Sequence, residues 1–71
     1  MGNFWASTNR STKLVINEKI RVLRDFCIVD DSNEIAIRNR LLAEINSNPD
    51  KDPDIIADRI ARRMISDKLT A

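Results

Sequence analysis

Asp50, Asp52 and Asp54 alternate in the way acids open a calcium-binding loop, and no other spacing in this chain comes as near to reactive chemistry. Such a loop needs glycine at its sixth position for the sharp turn and glutamate at its twelfth for bidentate coordination. Counted from Asp50, those positions hold Ile55 and Ala61. An isoleucine cannot make the turn and an alanine cannot ligate, so the acids read as helix-capping groups and no metal or cofactor is expected. The other carboxylates fall at helix starts or beside arginines, where nothing would raise a pKa toward general-acid duty. The 71 residues contain no histidine, no tyrosine, one cysteine (Cys27) and one glycine (Gly2). The usual proton-transfer group and the glycine that lets backbone approach a phosphate are therefore both lacking. Cys27 falls on an apolar stripe with no neighbouring base and is expected to be an inert core residue. The sequence predicts no enzyme.

Binding chemistry is better represented. Phe4 and Trp5 are adjacent large aromatics in an otherwise polar opening, MGNFWASTNRST, that reads as a flexible arm over residues 1–12. Such rings can plug the core or anchor a partner protein. Arg59, Arg62 and Arg63 form a cationic stripe near the other end, suited to an acidic partner. The net charge of +1 argues against a polyanion binder driven by bulk charge. Its distribution is uneven: residues 1–29 carry three net positive charges, 30–54 four negative and 55–71 two positive. Met1-Gly2 opens like an N-myristoylation signal, but Ala6 stands where Ser or Thr is wanted and Ser7 comes one late.

Positioning these residues falls to helices. Hydrophobic residues make up 42% and charged ones 32%, a globular balance for one small domain. One cysteine permits no internal disulfide, so packing or self-association must stabilise the fold. Asn17 as cap and Ile16, Ile20, Leu23 and Cys27 at intervals of four, three and four predict a first helix over about 17–29. Asp31 and Glu34 have capping-box spacing before a second helix over about 33–46. Its apolar positions are Ile35, Ile37, Leu41, Leu42 and Ile45, with Arg38, Asn39 and Glu44 facing water. Asp52 as cap, Pro53 at the first position and Asp54 against the dipole mark a third over about 53–68. The expected fold is all-α, a small three-helix bundle at 13–71 with a flexible N-terminal arm at 1–12. No apolar run reaches the ~20 residues of a membrane-spanning helix, and a single thiol without an export signal suggests the cytoplasm, of a cell or of a host to a phage or virus.

Residues from Thr12 to Ile45 can also be read as strand, helix, turn, helix. Thr12-Lys13-Leu14-Val15-Ile16 alternates with Lys13 and Val15 on one side, and Asp30-Asp31-Ser32 followed by Asn33-Glu34-Ile35 resembles the turn of the ribbon-helix-helix DNA-binding family. That resemblance implies a dimer whose paired ribbons enter the major groove, with Lys13 and Val15 as DNA-contacting residues. Two adjacent acids at a phosphate-facing turn depart from the pattern, because affinity for DNA rests on neutralised phosphates. The leading expectation is a small non-enzymatic regulatory or adaptor protein that binds another protein, with Phe4, Trp5, Arg59, Arg62 and Arg63 at the contact. A dimeric DNA-binding regulator is the alternative, and a structural subunit of a larger assembly is a third reading.

Overall fold

The computed structural model describes residues 11–70. Within them the chain forms α1 (Thr12–Asp25), α2 (Glu34–Asn46) and α3 (Pro53–Thr70), with no strand among the described residues. Each helix packs on the other two, giving a small all-α three-helix bundle.

The start of α1 lies five residues before the expected one. Ser11, in extended backbone, accepts a hydrogen bond through its side chain from the Leu14 amide at 3.2 Å and caps the helix in place of Asn17. Moving the start back adds Val15 to the stripe of Ile16, Ile20 and Leu23, and all four are buried. Burying that extra residue outweighs the β preference of a Val-Ile pair. The segment read as a ribbon is therefore helical. Val15 is fully buried in the core rather than displayed beside the exposed Lys13, and this corrects the expectation that both face DNA.

The same helix stops at Asp25, short of the expected 29. The Ile28 amide donates to the Leu23 carbonyl at 2.8 Å and the Cys27 amide to the Arg24 carbonyl at 3.0 Å. This is the paired bonding of a Schellman turn, and Cys27 takes its left-handed position with φ of 60°. The reversal throws the thiol outward, so Cys27 is exposed and not in the core as its spacing suggested. Val29, beyond the turn, comes back to be buried. Glycine usually fills this position because a Cβ there costs energy. Cys27→Gly is expected to stabilise the protein by about 1 kcal/mol, read as a melting temperature higher by ~4–8 °C. An unchanged or lower value would contradict the turn geometry.

Asp30, not Asp31, organises the entry to α2. One Asp30 oxygen accepts from the Ser32 amide (2.9 Å), the Ser32 hydroxyl (2.6 Å) and the Asn33 amide (3.1 Å). Asn33 answers by accepting from the Asp30 amide at 2.7 Å and donating to the Ile28 carbonyl at 2.9 Å. The third helix begins as its sequence predicts: Asp52 accepts from the Asp54 amide at 2.9 Å, with Pro53 in the first position.

The core comprises Val15, Ile16, Ile20, Leu23, Val29, Leu41, Ile45, Ile56, Ala57 and Ala61, and among the described residues no polar or charged side chain is buried with them. Ala57 and Ala61 are one turn apart on α3 and leave room for close approach of the other helices. Ile35 and Leu42, read as core-facing, are instead exposed, because the bundle covers α2 along Leu41 and Ile45, with Ile37 partly buried beside them. No described helix is long and apolar enough to cross a membrane.

Candidate functional site

Opposite its buried side, α3 carries Ile55, Arg59, Arg62, Ser66 and Leu69 at steps of four, three, four and three. That spacing holds five residues on one helical stripe about 21 Å long. All five are exposed, and the two apolar ends most clearly so: Ile55 is 60% and Leu69 73% accessible. The stripe thus presents two aliphatic side chains bracketing two guanidinium groups. Arg63 flanks it.

The cations of this face differ in how firmly they are held. Arg62 donates from Nε to Asp58 at 2.6 Å, one turn back, and Arg63 Nε lies 3.9 Å from Asp67. Both arginines remain 79% exposed, so these pairs are solvent-screened and contribute little to stability. Arg59 has no ion-pair or hydrogen-bond partner among the described residues. Asp58 also accepts from Lys19 of α1 at 3.3 Å, which ties the base of the stripe to the neighbouring helix.

A second charged cluster joins α1 to α2. Arg24 pairs with Glu34 and, at 3.3 Å, with Asp31. Arg38 donates from Nε to Glu34 at 3.0 Å and from Nη1 to Asn17 at 2.8 Å, so it is partly shielded rather than simply facing water. Hydrogen bonds from Arg38, then Arg24, hold the Glu34 carboxyl below its ordinary pKa, and the same contact with Glu34 raises that of Arg24. Asp58 is held down first by Arg62 and then Lys19, and Asp30 by the Ser32 hydroxyl and amide. Every displaced carboxyl moves toward the charged form, away from general-acid use.

These displacements fix a pH dependence. A carboxyl with a lowered folded pKa binds its proton less readily folded than unfolded, so its stabilising contribution is present above the ordinary carboxylate range. That contribution is lost as pH falls through the lowered folded values of Glu34, Asp58 and Asp30. The melting temperature should be level near neutrality and decline through the acid range. Glu34→Gln should make that decline shallower, and an acid limb unchanged in this variant would contradict the Glu34 pairs.

Between the first turn of α1 and the middle of α2 lies an open groove of about 430 Å³, lined by Thr12, Lys13, Ile16, Arg38, Asn39 and Leu42. Its wall is mainly aliphatic, with cationic and amide groups at its edge. No set of three metal-ligating side chains comes together among the described residues.

No family model, curated protein or solved structure matches this chain.

Of the residues singled out in the sequence, Arg59, Arg62 and Arg63 sit together on the outward side of α3. Phe4 and Trp5 lie outside the described residues. Lys13 and Val15 are separated, the first at the groove and the second in the core. Sequence reasoning placed neither Ile55 nor Leu69 on this face. The four-three-four-three spacing through Arg59 and Arg62 is the signal that places both aliphatics on the arginine face.

Proposed function

We propose that the protein is a small non-enzymatic binding protein, regulatory or adaptor in kind, that docks on another protein through the outward stripe of α3. The observation that carries this reading is the exposure of Ile55 and Leu69 on the same stripe as Arg59 and Arg62. Exposed aliphatics at helical spacing are what a partner's groove or helix receives, and arginine is enriched where such contacts carry binding energy. The charge of the stripe selects the partner's chemistry: an apolar surface bordered by aspartate or glutamate. A second copy of this chain would place arginines against arginines, which is unfavourable. The free thiol of Cys27 suits a reducing compartment, so the cytoplasm is the proposed setting.

Affinity capture from the cells that make the protein, compared with an Arg59→Glu, Leu69→Glu variant, tests this. Both substituted side chains are exposed, so the variant should keep its helical content. A specific partner should bind the variant roughly tenfold or more weakly. Salt should weaken the unaltered complex as well, since two cations contribute. Capture indifferent to both substitutions would refute the stripe as the docking surface.

A further inference from the structure

We infer that the outward face of α2 receives the same face of a second copy of this chain, with the two helices parallel. This face is separate from the α3 stripe, and the inference stands or falls without the proposed function. Ile35, Ala36, Asn39, Leu42, Ala43 and Asn46 together fill about a third of the circumference of α2. All six are exposed and none is charged, in a chain of which 32% of the residues carry charge. A helix face left to water ordinarily holds charged and polar residues instead. Ile35, at 74% accessibility, is as open as the apolar ends of the α3 stripe.

The lack of charge decides the occupant. Nothing on this face attracts an acidic or a basic partner, whereas an identical neutral face meets no repulsion. Ile35, Asn39, Leu42 and Asn46 follow at steps of four, three and four, the spacing of a two-helix seam. A two-fold axis parallel to the helices sets each of them against its own copy. Isoleucine then meets isoleucine, leucine meets leucine, and each asparagine meets its twin. A carboxamide both donates and accepts, so an asparagine pair satisfies itself. Neither the Asn39 nor the Asn46 side chain has a hydrogen-bond partner among the described residues. Antiparallel helices would instead oppose each amide to an aliphatic and leave it unpaired. Ala36 and Ala43 border the seam with small side chains that permit close approach. Arg38, at its other border, is already held by Glu34 and Asn17 and brings no unpaired charge. The seam is only about 17 Å long, which makes the contact one of the small, reversible class.

Sedimentation equilibrium of the full chain, from about 10 µM to about 1 mM, tests this. The mass should rise with concentration from 8.1 kDa toward twice that value. Leu42→Glu, at an exposed position, should keep the helix signal and weaken association at least about tenfold, since two carboxylates would meet at the axis. Arg59→Glu, Leu69→Glu should associate as the unaltered chain does, which separates this contact from the α3 stripe. Register is read by mild oxidation in a Cys27→Gly background: Asn39→Cys should give a disulfide-linked dimer and Arg40→Cys, pointing off the seam, should not. A monomer mass that holds to the highest concentration would overturn the inference. So would association that survives Leu42→Glu, association lost in the α3 variant, or cross-linking with no preference for position 39.

Discussion

Leu23→Ala should melt at a temperature at least about 10 °C below the unaltered protein, by thermal unfolding followed through the helix signal. Leu23 is among the largest fully buried side chains, and α2 and α3 close over the stripe it belongs to. Truncating such a leucine removes its transfer free energy and leaves a cavity, together worth about 2–5 kcal/mol. A domain of this length buries a small share of its surface and stands near the low end of the usual ~5–15 kcal/mol. The loss is therefore a large part of the whole. Leu23 has a second duty, since its carbonyl accepts from both the Ile28 and Val29 amides at the end of α1. Loosening the side chain loosens the turn that returns Val29 to the core. A drop of only a degree or two would mean that Leu23 is not enclosed as described.

Val15→Asp should leave the chain largely unfolded, and this outcome separates two accounts of the same residues. On a ribbon, position 15 would face outward and an acid there would spare folding while abolishing any hold on DNA. In α1 the side chain is fully buried among aliphatic residues, with no described polar side chain buried near it to receive a charge. An uncompensated carboxylate in such a place costs several kcal/mol, or is forced to stay protonated well above its normal pKa. The nearby helix N-terminus favours an acid by only ~0.3–1 kcal/mol, too little to offset this. Lys13→Asp, two residues away and exposed, serves as the control and should melt near the unaltered protein. Folding of Val15→Asp with full helix signal would refute the burial of the first turn.

Comparing these two positions shows where sequence was informative. The start of α3 was legible because Asp52, Pro53 and Asp54 each act locally, through one side chain and the adjacent backbone. The end of α2 at Asn46 was legible too. The ends of α1 were not, since Ser11 and Asn17 are both acceptable caps and only packing against α2 and α3 decides that Val15 is worth enclosing. Cys27 misled because its spacing from Leu23 continues the stripe, while the chain reverses there in a conformation usually given to glycine. Ile35 misled in the opposite sense: it is apolar and at helical spacing, yet α2 has too few neighbours to cover it. For the candidate site, the arginine cluster was visible as residue types, but its flanking aliphatics needed the burial pattern of α3 to be assigned outward.

The aliphatic make-up of the interior has a consequence for magnetic resonance. Among the described residues none of the ten buried side chains is aromatic, and Phe26 is half-exposed at the end of α1. Ring currents, which spread methyl signals upfield in most small domains, therefore have almost no source among the buried residues described. The core methyls should crowd into a narrow band, and a resonance displaced far upfield would contradict this aliphatic packing.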